Sequence, residues 1–234
     1  MGNFLTSSSI GKKFVMSISG CFLVLFLLFH LAMNATAIFS PEAYNVICAA
    51  LGANWYAVAG TAVLALGVFV HFIYALILTF QNWKARGGIK RYAVTKKEDS
   101  VNWSSKNMFV LGCIIVIGLV AHLYNFWYNM MFVELLGEHS NSFGLVPTDG
   151  AGLIMLHFAN IVWVIIYLVW FVALWFHLTH GLWSMMQTIG WNNNIWLRRL
   201  KCIANILATI IMLGFAAVVI VYYLKSLGCD FLAA

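Results

Sequence analysis

Five runs of apolar residues, each long enough to cross a lipid bilayer, leave this chain very few folds. They extend from about Lys13 to Phe39, Trp55 to Asn82, Lys106 to Phe132, Gly152 to Gln187 and Lys201 to Lys225. Each meets the ~20 residues that a ~30 Å hydrocarbon core demands of a helix. The fourth is longer than that core needs, so it is expected to tilt or to project beyond the bilayer. Runs of this length exceed the ~10-residue strands of a membrane barrel. The two prolines, Pro41 and Pro147, both fall between the runs. Only 9% of the residues are charged, against about 25% in soluble domains. The expectation is an all-α integral membrane bundle of five transmembrane helices. It forms a single membrane domain over residues 1–234, with one long polar loop over residues 83–105.

Charge placement orients the bundle. Lys12 and Lys13 precede the first span. Lys84, Arg86, Lys90, Arg91, Lys96, Lys97 and Lys106 border or fill the loop between spans two and three. Arg198, Arg199 and Lys201 lie between spans four and five. All but one of the 13 basic residues therefore share one side. The opposite loops carry only acidic charges: Glu42, Glu134, Glu138 and Asp149. Basic loops stay in the cytoplasm, so the N-terminus is expected inside and the C-terminus outside. Lys225 is the exception and reaches the outer interface by its long stem. The formal charge of +6 thus reports membrane topology and not a nucleic-acid partner. The long loop, hinged at Gly87 and Gly88, reads equally as a solvated connection or as a docking surface.

The five cysteines, at 21, 48, 113, 202 and 229, form no C-x-x-C or C-x-x-C-H element. There is accordingly no signature of covalent haem attachment, zinc or an iron–sulfur cluster. Cys48 and Cys229 fall on the outer side, and the sequence leaves their pairing open. The apolar run from Phe14 to Phe39 is about twice the length of a signal-peptide core, so it reads as a retained first helix.

The chemistry lies in the histidines. His30, His71, His122 and His177 each sit inside a different span, where an ionisable side chain is costly and points to function. At 1.5 Å per residue, His30 and His122 fall about 25 Å from the basic side, and His71 and His177 about 15 Å. The four form two pairs by depth. Two imidazoles hold one haem iron, so the pairs predict two haems, the outer on His30 and His122, the inner on His71 and His177. Gly67, Gly118 and Gly181 lie four residues from a ligand, on its own helix face, where small size admits a flat macrocycle. Close helix packing explains each glycine equally well taken singly. His180, one turn beyond His177, is either the true ligand or a partner for a haem propionate.

The motifs Ser8-Ser9-Ile10-Gly11-Lys12-Lys13, Phe29-His30-Leu31-Ala32-Met33-Asn34 and His177-Leu178-Thr179-His180-Gly181-Leu182-Trp183 resemble those of one family over nearly the whole chain. It is the five-helix cytochrome b subunit of succinate dehydrogenase and quinol:fumarate reductase. The H-x-x-x-G-L-W element is the most specific, and in that family its first histidine is the ligand, which favours His177 over His180. The resemblance implies two haem b groups and a place in the bacterial cytoplasmic membrane. It implies a flavoprotein and an iron–sulfur subunit docked on the cytoplasmic face, and a quinone as electron partner, with menaquinone favoured. The dicarboxylate chemistry would belong to the flavoprotein. A dimer of the whole complex is left open, as is the direction of electron flow. One departure stands out: some relatives that oxidise menaquinol carry a glutamate two residues before the fourth-span ligand, where this chain has Trp175.

Candidates for the quinone on the outer side are Asn34, Glu42, Trp127, Tyr128 and His157. Glu42 reads more readily as a plain interfacial carboxylate. Ser17, Ser19, Gln187, Thr188 and Trp191 are candidates for the propionates. Two other readings compete: a dihaem subunit of a quinone-linked hydrogenase or formate dehydrogenase, and a transporter with a histidine proton relay. Two ligands spaced along one helix, the mark of another cytochrome class, are not found within a span.

Overall fold

The structure, a computed structural model, describes residues 8–85, 87, 103–191 and 193–229. Most of the loop over 83–105, with its basic residues from Arg86 to Lys97 and the Gly88 half of the hinge, lies outside the described residues. Five helices are long and apolar enough to cross a membrane, and no strand occurs among the described residues.

The first crossing is α1, Ser9–Phe39, opened by the Ser8 hydroxyl, which accepts from Gly11 N at 2.9 Å. Ser40 ends it and at once caps α2, Pro41–Ala50, with Pro41 in the first turn. That is the position where proline's missing N–H costs nothing. The second crossing is α3, Trp55–Ala85. A single turn, α4 (Trp103–Lys106), leads into α5, Met108–His122. Instead of continuing as an α-helix, the third crossing widens into a π-helix over Leu123–Phe132 and closes with α6, Val133–Leu135.

The fourth span differs from the expectation of one long helix over 152–187. It breaks into α7, Gly150–Phe158, and α8, Ile161–Thr188. Asn160 makes the break: its side chain accepts from Val162 N at 2.9 Å and caps α8, the role in which asparagine beats continued helix. The length is therefore absorbed by a short separate helix and not by tilt alone. The fifth crossing is α9, Asn194–Ser226. Cys48 and Cys229 both carry free thiols.

The core is the α8–α9 contact, with α1 packed against both and α7 tucked against α9. Ile211, Val219, Tyr222 and Tyr167 are among its buried members. Gly214 lets the Leu31 side chain lie against the α9 backbone. The two remaining crossings are peripheral. α3 leans on α1 and has no buried residue. α5 leans on α8. Neither α1 and α5 nor α3 and α8 pack along each other's length. Those two unpacked pairs are the ones that carry the histidines.

Candidate functional site: two histidine pairs across unpacked helices

The histidines meet in the pairs that depth suggests. His30 on α1 and His122 on α5 have ring centres 5.8 Å apart at 86°. His71 on α3 and His177 on α8 are 6.2 Å apart at 68°. In each case only side chains close the gap between the helices.

Three features of these gaps fit a flat iron-bearing macrocycle. The first is spacing. An imidazole nitrogen sits about 2.0–2.1 Å from a bound metal, as in zinc sites, so rings on opposite sides of one ion are centred about 6 Å apart. Edge-on aromatic pairs fall in the same range, so spacing alone does not choose.

The second is hydrogen bonding. His122 Nδ1 and His177 Nδ1 are buried with no partner, so no protein group fixes which nitrogen of either ring carries the proton. His71 is fixed from behind. Ser19 Oγ lies 3.1 Å from His71 Nδ1 and donates its own proton to the carbonyl of Val15 at 2.9 Å. Ser19 therefore accepts from His71 Nδ1–H, and the neutral ring keeps its lone pair on Nε2. Gly20 lets the ring rest on α1, with Cε1 at 3.3 Å from where a Cβ would stand. A ring nitrogen anchored so that the other is free is how proteins prepare an imidazole ligand.

The third is number. Each gap brings two imidazoles together, and an iron that takes its other ligands from a macrocycle needs only two from the protein.

Some expected pocket residues have other roles. A Cβ on Gly67 would meet the Phe22 ring at 2.6 Å, and one on Gly118 would run into the Trp170 ring. These glycines receive aromatic side chains from α1 and α8, because a residue without a Cβ lets a flat ring lie on the backbone. Trp170 also donates to Ile115 O at 3.2 Å. Gly181 faces open space, with nothing within 4 Å of a Cβ. Ser17 is buried and donates to Lys13 O at 2.9 Å, so its proton is already committed within α1. Gln187 is half-buried in the last turn of α8. His180 sits beside Trp183, ring centres 5.1 Å apart, with its Nδ1 buried and unpartnered. Trp175 donates to Thr209 Oγ1 at 2.9 Å and so ties α8 to α9.

The quinone candidates do not form one cluster. Asn34 accepts from Tyr44 OH at 3.1 Å and donates to the His30 carbonyl at 2.8 Å. Glu42 is exposed and accepts from Ser40 Oγ at 3.1 Å. Tyr128 is 41% exposed and stacks on Tyr124. Trp127 points its indole nitrogen into the protein, where it has no partner.

A polar network lies at the end away from the basic residues; sequence reasoning named only its His157, as a quinone candidate, and missed its asparagines. Asn125, Asn129 and His157 are nearly fully buried. Asn125 Nδ2 donates to Tyr167 OH at 3.3 Å, and the Tyr167 ring lies 6.3 Å from that of His122. His157 Nε2 donates to the Asn125 carbonyl at 2.9 Å. The available signal was two asparagines four residues apart inside an apolar run, a costly placement. Nearby, burial pushes the Cys48 thiol up to about 11 and holds the Tyr44 hydroxyl well above its usual range.

Burial also pulls the His157 pKa below its ordinary 6.5, against a smaller upward pull from the bond to Asn125. As pH falls below 6.5, the unfolded chain takes the proton before the folded one does. Stability from the neutral ring is thus whole above that pH and is lost as pH falls through the lower folded value. The thermal midpoint in detergent is expected to fall between about pH 7.5 and 5, and His157→Gln to fall less steeply over the same range. Parallel profiles for the two proteins would remove His157 from the account.

No family model matches the chain, and no curated protein or solved structure does. The reading of the site therefore rests on these residues and distances.

Proposed function

We propose that the chain is a dihaem cytochrome b anchor. It passes electrons through the membrane between a quinone and an iron–sulfur partner, as a subunit of a succinate dehydrogenase or fumarate reductase complex. The observation that carries this is the pair of imidazole couples at 5.8 and 6.2 Å, each spanning two helices that do not pack along each other's length. A gap of that kind, with an imidazole from each side, would suit a haem iron held by both rings. Bound there, haem b supplies a reversible one-electron iron couple.

The protein's part is to hold and insulate. His30 and His122 form the couple farther from the basic end, His71 and His177 the nearer one. Ser19 holds His71 in the tautomer that can ligate. Phe26, Phe215, Phe126 and Trp170 ring the His30–His122 couple, at 5.3 to 5.8 Å from one or other imidazole, and keep water out of it. With the basic end in the cytoplasm, the His71–His177 couple lies toward an iron–sulfur subunit and its flavoprotein. The His30–His122 couple lies toward an outer quinone, with menaquinone favoured. Trp127, with its unpartnered indole N–H, is the best placed of the quinone candidates to donate to a quinone carbonyl.

The test is the absorption spectrum of the purified protein, reduced minus oxidised, with a pyridine haemochromogen count. Two haem b per chain is the expected result. A protein that is folded yet colourless would end the proposal. Co-purification with a flavoprotein and an iron–sulfur protein separates this complex from a hydrogenase or formate dehydrogenase.

A further inference from the structure

At the basic end a small polar cleft of about 70 Å³, open to the surface, lies between three elements, lined by Ser104, Thr179, His180, Trp183, Lys201 and Asn205. Its groups are arranged for an anion. Lys201 Nζ stands 4.5 Å over the Trp183 ring, which steadies the ammonium by its π face. Lys201 has no carboxylate partner among the described residues. His180 Nδ1 is buried without a partner. Lys201 and Asn205 are one turn apart on the same face of α9, so both meet the α8 residues across the groove.

The position says where the anion comes from. Lys201 opens the fifth span directly after Arg198 and Arg199, so its ammonium stands at the cytoplasmic headgroup level, and the cleft runs inward from there to His180. Asn205 at the rim is exposed. Beside it on α9, Ile203 and Ile206 are 54% and 56% exposed, an apolar track for acyl chains. Arg198 and Arg199, both exposed, stand one turn before Lys201. Basic clefts between spans at this level take phospholipid headgroups.

We infer that this cleft is a binding site for an anionic phospholipid. The phosphodiester lies against the Lys201 ammonium, and the His180 ring and the Asn205 amide supply hydrogen bonds. It makes no use of the paired histidines and holds with or without iron between them.

The test is native mass spectrometry of delipidated protein in detergent, titrated with phosphatidylglycerol and, separately, phosphatidylcholine. One tightly held phosphatidylglycerol is expected, with phosphatidylcholine at least fivefold weaker. Lys201→Gln is expected to weaken phosphatidylglycerol about fivefold, the contribution of one basic residue at a bilayer surface, and Lys201→Arg to restore it. Asn205→Leu changes an exposed position that carries no packing, and is expected to weaken it about twofold. It serves as the readout if Lys201→Gln does not fold. Equal retention of both lipids, or no change in these variants, overturns the inference. So does a Lys201→Gln protein that keeps its lipid but shifts the reduction potential of one haem, since the cleft would then hold a propionate.

Discussion

Replacing His122 by leucine is expected to leave one haem per chain instead of two, and replacing His30 to remove the same one. The two side chains come from α1 and α5, which do not pack along each other's length, and their rings face each other at 5.8 Å. Neither alone supplies both axial positions. Loss of one ligand should therefore empty the slot, whichever residue is changed. His71→Leu and His177→Leu are expected to remove the other haem. Potentiometric titration followed by optical spectroscopy distinguishes the cases. The wild type should titrate in two steps, and each variant in one. Variants at His30 and His122 should share the surviving potential, and those at His71 and His177 should share a different one. Folding is not at risk from the substitution itself, because leucine is cheaper than imidazole among membrane spans. Ser19→Ala acts on the second pair only. Removal of an outer-shell partner commonly costs 10–100-fold in affinity, so the lower-occupancy haem should be the one lost in His71→Leu. A His30 variant that lost the His71–His177 haem and kept its own would contradict the pairing.

These variants also show what was legible in the sequence and what was not. Depth along a helix is a one-dimensional quantity with a fixed rise, so matching His30 to His122 and His71 to His177 needed only the span boundaries. Lateral neighbours are not encoded that way. A glycine four residues from a histidine identifies a helix face but not what covers it. At Gly67 the covering group is Phe22, and at Gly118 it is Trp170. Both come from other helices whose rotation the sequence does not state. Serines show the same limit. Ser17 and Ser19 are two residues apart on α1, yet Ser17 bonds only its own helix while Ser19 also reaches His71. The broken fourth span was partly legible. Asn160 before an apolar run is a cap signal, overridden in reading by unbroken hydropathy on both sides.

The π-helix was not legible at all, and its cause lies in contacts distant in the chain. Replacing Asn129 by leucine is expected to lower the thermal midpoint by roughly 5–10 °C, from about 2–4 kcal/mol of lost stability. Ten residues in π geometry is long for a form that usually appears as a single turn, so something must hold it open. Asn129 Nδ2 donates to the carbonyls of Tyr124 at 2.9 Å and Asn125 at 3.3 Å, while its Oδ1 accepts from Ser142 Oγ at 2.8 Å. Its own carbonyl accepts from Asn141 Nδ2 at 3.3 Å. The side chain thus fills the widened turn and stitches it to the following loop. With 1% exposure it leaves no route for water to replace those bonds. Leucine of similar size would remove the bonds to the Tyr124 and Asn125 carbonyls in a dry interior, each lost bond costing about 1–3 kcal/mol, while Ser142, an exposed residue, can turn to water. Ser142→Ala removes a single bond and should cost no more than about 1.5 kcal/mol. Limited proteolysis supplies a second readout: residues 137–149, released from Asn129, should be cut faster in Asn129→Leu than in Ser142→Ala. An Asn129→Leu protein that melts with the wild type and resists cleavage equally would mean the wide turn is held by His157 on the Asn125 carbonyl and not by Asn129. Because this segment begins one residue after His122, its geometry also sets how that ring is aimed.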